Sequence, residues 1–112
     1  MSVAISPNET VTVLRLSGDV SLGDMDGILS VLTDMVLHNK NKVILNFQKV
    51  SHVSLGAISK LTERNQRFRA LGGEIKIVGL IPYVVNLFKL VGAFSNFDIA
   101  FNEEEAVARF ES

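Results

Sequence analysis

The sequence predicts an α/β fold, a single domain over residues 1–112 with a mixed central sheet of about five strands and about four helices. The expected element order is β-β-α-β-α-β-α-β-α. Three observations carry this. Val43 to Phe47 is a short run of branched and aromatic residues without alternation, which suits a strand buried on both faces. Stretches of helical period alternate with short strand-like runs along the chain. Glycines at Gly72-Gly73 and at Gly92 stop two of the helical stretches where carboxyl-terminal caps are expected.

In order, Val3 to Ser6 and Val11 to Ser17 read as strands, joined by the turn chemistry of Pro7-Asn8-Glu9-Thr10. Gly18-Asp19 is expected to end the second. From Leu22 to His38, the apolar residues Leu22, Met25, Ile28, Leu29, Leu32, Met35 and Val36 recur at helical spacing. Asp24 and Asp26 complement the dipole at that helix's start, whereas Gly23 and Gly27 weaken its first turn by about 1 kcal/mol each and predict a late beginning. Asn39 suits a left-handed stop. After the central strand, Gln48 to Leu55 reads as a polar connection, followed by a helix with Ile58, Leu61, Phe68 and Leu71 on its apolar side. Glu74 to Val78 alternates as a strand. Pro82 opens a short helix, with Val84, Leu87, Phe88 and Val91 inward. Phe97 to Phe101 forms the last strand, and Asn102 caps a closing helix that starts on Glu103, Glu104 and Glu105. Strands that alternate with helices imply parallel neighbours and right-handed crossovers, with one antiparallel arm.

The bulk numbers exclude several functions. The 112 residues carry a net charge of −1, which argues against a nucleic-acid footprint. No apolar run approaches the roughly eighteen residues that span a bilayer, so no direct membrane insertion is expected. The first residues lack the basic start and apolar core of a signal peptide, and a cytoplasmic location is expected. With no cysteine and two histidines, thiolate chemistry is excluded and a metal site is unsupported. No cofactor motif appears.

A site is expected where the central strand meets its helix, because ligands and partners of α/β sheets gather at such junctions. Ser51, His52, Ser54, Leu55 and Gly56 lie there, and Asp19 and Ser21 lie at the preceding strand–helix junction. Ser54 suits an N-cap, which contributes about 1 kcal/mol, and equally a phosphate acceptor facing free N–H groups. His52 has no serine–histidine–aspartate company, so a packed or solvated ring is expected and no enzyme activity. Phe97 is expected in the core and Phe94 as a surface anchor for a partner or a second copy. Lys60, Glu63, Arg64, Arg67 and Arg69 read as a solvated face bordering the junction.

Four stretches resemble the STAS domain, the fold of bacterial anti-sigma-factor antagonists: LRLSGDV at 14–20, VILNFQKVSHV at 43–53, LGGEIKIVG at 71–79 and IPYVVNLFKLVGAFSNFDIAFNEEEAV at 81–107. The last is the most specific, a proline-led helix reaching a glycine, an aromatic strand and an acidic-started helix. The resemblance implies a regulatory protein–protein interaction module that binds an anti-sigma factor with serine kinase character. In that family, phosphorylation at the start of the helix after the central strand switches partners. The motif is an aspartate, the acceptor, a small residue and a glycine. Laid on without gaps, it falls on Ser54, Leu55, Gly56 and Ala57; a one-residue slip makes Ser54 the acceptor. A family acidic position after the first glycine is Ser21 here. The motif is thus degenerate. The same fold also allows a non-phosphorylated subunit, as signalling scaffold or lipid-transporter partner, and a small-ligand or nucleotide binder. Gly18 and Gly56 form no phosphate-binding glycine motif, which weakens the nucleotide reading.

Overall fold

The computed structural model describes residues 2–7 and 11–111. Strands β1 (Ser2–Pro7) and β2 (Thr12–Val20) lead into helix α1 (Leu22–Leu37), and β3 (Lys42–Val53) into α2 (Leu55–Ala70). Then follow β4 (Glu74–Val78), α3 (Pro82–Leu90), a 3-10 turn at Phe94–Asn96, β5 (Asp98–Ala100) and α4 (Glu103–Glu111). The sheet order is β1-β2-β3-β4-β5, with β1 antiparallel to β2 and every other pair parallel. Fold class and element order are as the sequence predicts. The first expected turn falls at Asn8 to Thr10, outside the described residues.

Alternation along the strands divides the core into two layers. Leu14, Leu16, Val43, Leu45, Phe47, Ile75 and Ile77 face α1, α2 and α3, where Met25, Leu32, Ile58, Leu61 and Phe88 are buried against them. Val11, Val13, Ile44, Val78 and Ala100 face the other way and pack on Ala106, Val107 and Phe110 of α4. Helices on both faces explain why Val43 to Phe47 shows no polar alternation. Phe88 ties the larger layer together, meeting Phe47 edge-on at 5.9 Å and Phe97 at 6.0 Å between ring centroids.

Four boundaries differ from the sequence expectation, each for a local reason. Gln48 to Val53 is not a polar connection: β3 continues through it, with Val50 and Val53 buried and Ser51 exposed between them. Its pairing with β2 slips twice, between Arg15 and Ser17 and between Gly18 and Asp19, so β3 carries an extra residue at each bulge. Those bulges break the period on which a strand is recognised. For the same reason β2 runs past Gly18-Asp19 to Val20. Helix α1 starts promptly at Leu22, because Ser21 and Asp24 cap each other. The Ser21 hydroxyl accepts from Asp24 N at 3.1 Å, and Asp24 Oδ2 accepts from Ser21 N at 3.0 Å. That reciprocal pair offsets the glycine cost. Finally, Leu71 is the exposed cap residue of α2 rather than part of its buried stripe. Asn39, at φ 61°, supplies the left-handed stop after α1.

Candidate functional site

The two strand–helix junctions lie side by side at the carboxyl edge of the sheet. Asp19 pairs in register with His52 and Val20 with Val53, and Ser54 N donates to Val20 O at 3.0 Å. A Cβ placed on Gly56 would lie 3.6 Å from Leu22 Cδ1, so the first turns of α1 and α2 touch. All seven sequence-derived positions therefore share one edge: Asp19, Ser21, Ser51 and Gly56 are exposed, His52 and Ser54 half-buried, and Leu55 exposed.

The hydroxyls there serve the backbone. Ser54 Oγ accepts from Ala57 N at 3.2 Å, which makes Ser54 the N-cap of α2 and Leu55 its first residue. Ser21 is occupied by its reciprocal cap. Bonds from the Ser21 backbone and hydroxyl also hold the Asp24 carboxyl below its ordinary pKa. The two helix starts differ electrostatically, for α1 carries Asp24 in its first turn and α2 has no acidic residue there. An anionic group on Ser54 would meet open N–H groups and the positive end of a dipole, with no acidic residue in α2's own first turn.

Tyr83 is a member of this edge that the sequence reading missed. Its hydroxyl lies 2.9 Å from His52 Nδ1, and the two rings stack at 5.7 Å with 26° between planes. Leu22, Leu55 and Ile81 complete the set, Leu22 lying at the open first turn of α1 and not on the inward stripe expected of it; with Tyr83, their exposures run from 36% to 50%. Thus α1, α2 and α3 each open with an exposed apolar side chain at one edge, where small polar or acidic residues are usual. The signal lay in Ser21-Leu22, Ser54-Leu55 and Ile81-Pro82-Tyr83, apolar residues at places where a cap would suffice. Phe94, by contrast, is no free anchor: it is partly buried against the core, with Lys89 Nζ 5.1 Å from its ring centroid. Phe97 is in the core as expected. On the α2 flank, Lys60 pairs with Asp26 at 2.7 Å and Arg67 with Glu63 at 3.2 Å, both exposed.

Among the described residues no group of three or more histidine and acidic side chains could hold a metal ion. No helix among them is long and apolar enough to cross a membrane.

A family model described as STAS domain matches residues 2–106. The chain is 21% identical over 112 residues to BtrV of Bordetella bronchiseptica, described as a candidate anti-sigma factor antagonist; the match covers all of this chain and 97% of that protein. The anti-sigma factor antagonist SpoIIAA of Bacillus, in its unphosphorylated form, superposes with a TM-score of 0.76 at 18% identity, over 99% of each chain. A Thermotoga maritima protein described as a candidate anti-sigma factor antagonist superposes with a TM-score of 0.87 at 14% identity, covering 98% of this chain and 95% of that one.

Proposed function

The chain belongs to the STAS domain family, and on that premise we propose that it is a non-enzymatic regulatory module that binds an anti-sigma factor with serine kinase character. The observation that carries this reading is the row of exposed apolar residues, Leu22, Leu55, Ile81 and Tyr83, leading three successive helices at the carboxyl edge. Apolar side chains gathered on one edge and open to water are a mark of a partner surface, which singly exposed ones are not. The similarity to BtrV and SpoIIAA supports an anti-sigma factor as that partner, and residues 1–112 act as one cytoplasmic module.

Asp19, Ser21, Ser51, His52, Ser54, Leu55 and Gly56 form the contact face, with Leu55 as its central apolar anchor. Ser54 is the hydroxyl at which a kinase would act, and its relative SpoIIAA exists in a phosphorylated form. A phosphate there gains the N–H groups of α2 and places about two negative charges beside Leu55, which a partner pocket shaped for leucine rejects. Partner exchange follows from that single charge change.

Calorimetric titration of the organism's own kinase-like anti-sigma factor tests both parts. Leu55→Asp is expected to weaken binding by at least about 2 kcal/mol, roughly thirtyfold, and Ser54→Asp to weaken it in the same direction. Equal affinity of wild type and both variants would remove the edge as the interface. Incubation with that kinase and ATP is expected to add one phosphate at Ser54; phosphate elsewhere would remove the switch while leaving the docking face.

A further inference from the structure

A second concavity lies at the start of α4, beyond the carboxyl ends of β4 and β5 and beside Asn46 and Gln48 in the middle of β3. It is an open groove of about 790 Å³, within the range of peptide and ligand sites. Its floor is apolar, built from Val78, Leu80, Val85, Ile99 and Ala100. Gly79 shapes it. At φ +76° a side chain there would be strained, and a Cβ would come within 2.9 Å of the Gln48 backbone nitrogen. The bare backbone therefore lets residue 79 lie directly against β3 in the groove wall.

The rim is acidic and aromatic. Glu103 is committed, accepting from Arg15 Nε and Nη2 at 2.8 Å each and from Asn46 Nδ2 at 2.6 Å. Glu104 has no partner among the described residues, and neither has the side-chain amide of Gln48. Phe101 stands 83% exposed on the same rim. Anionic ligands are disfavoured although a helix starts here. The first turn of α4 already holds Glu103, Glu104 and Glu105, and the Glu105 N–H is taken by Asn102 Oδ1 at 2.9 Å. An open carboxylate, an exposed ring face and an apolar floor together match a cation with an aliphatic stem, as on arginine or lysine.

We propose that this groove receives a basic side chain flanked by apolar residues, presented by an extended segment of a protein partner, with Glu104 and Phe101 recognising the cation. An extended segment leaves its own backbone groups unpaired, and the Gln48 side-chain amide on the groove wall can pair with them. Glu104 and Phe101 lie outside the edge around Ser54, so their replacement leaves Leu22, Leu55, Ile81 and Tyr83 in place.

The probe is an acetylated, amidated hexapeptide with a central leucine–arginine–leucine, followed by amide chemical shifts of the ¹⁵N-labelled protein. Saturable shifts are expected at residues 78–80 and 99–104, weakening as salt is raised. The same peptide with citrulline, the neutral isostere of arginine, is expected to bind at least fivefold more weakly. Glu104→Gln and Phe101→Ala, both at exposed side chains, are each expected to lower affinity several-fold with the spectrum otherwise retained. Absence of saturable shifts at millimolar peptide, equal binding of the citrulline peptide, or shifts centred on 51–57 would overturn the proposal.

Discussion

Ser54 shows how one hydroxyl can hold a fold and invite a modification. Its oxygen accepts the Ala57 N–H, so Ser54→Ala removes one cap bond and should cost about 1 kcal/mol, read as a fall of about 4 °C in thermal midpoint. A loss of that size, with no phosphate added to the wild-type chain by the kinase, would assign Ser54 to the cap alone. Gly79 is more constrained, having both a positive φ and a backbone neighbour where its Cβ would stand. Gly79→Ala should destabilise by more than about 1 kcal/mol, measured by urea titration. An unchanged midpoint would contradict the close approach of β4 to β3. Tyr83 illustrates what single residues conceal. Nothing in its own neighbourhood links it to His52, 31 positions away, and only folding brings the rings together.

Among the elements, α4 is fastened by charge as much as by packing. Lys76, nearly buried on β4, donates to Glu74 at 2.5 Å and to Asp98 at 2.6 Å and lies 4.5 Å from the Phe110 ring centroid. Arg109 of α4 adds a second cation at Asp98. Burial works against ionisation of Asp98, but Lys76 and Arg109 more than offset it and leave its pKa lowered. Glu103 is lowered chiefly by the bonds from Arg15, with burial opposing and Asn46 assisting. A carboxylate depressed in the folded state adds stability above its unfolded pKa, about 4, and loses it as pH falls through the folded value. Burial likewise opposes the charge on Lys76, and its two carboxylate partners raise its pKa. That contribution is full below about 10.4 and is lost as pH rises above it. Stability should therefore be level between about pH 5 and 9 and drop in acid below about 4. Lys76→Ala should lower the plateau by about 2 kcal/mol, less than for a fully enclosed pair because Glu74 and Asp98 still reach water. An unaltered plateau in the variant would show that the Lys76 bonds add nothing to stability.

The elements were legible in the sequence wherever one physical rule acted unopposed. Asn39, Pro82 and Asn102 mark their boundaries because a left-handed turn, a first-turn ring and a cap each demand a particular residue. Residues 48–53 were hidden because two bulges interrupt the alternation that identifies a half-buried strand. The junction around Ser54 was visible, since a polar segment before a helix is a local pattern. Its extension to Ile81 and Tyr83 was not, being the product of sheet order.

At the scale of the whole molecule, three helices begin at one edge of a parallel sheet, and that edge is apolar at its centre. Parallel order is what aligns the starts of α1, α2 and α3, and exposed Leu22, Leu55, Ile81 and Tyr83 lie along that alignment as the proposed docking face. The other ends of the same helices also expose leucines, Leu37, Leu71 and Leu90, which makes the opposite edge a built-in comparison. Hydrogen–deuterium exchange of the chain with and without its anti-sigma factor tests the claim most directly. Protection confined to residues 19–22, 51–57 and 81–83, with 37–40, 71–73 and 90–92 unchanged, is the predicted result; protection at the helix ends with none at the helix starts would contradict it.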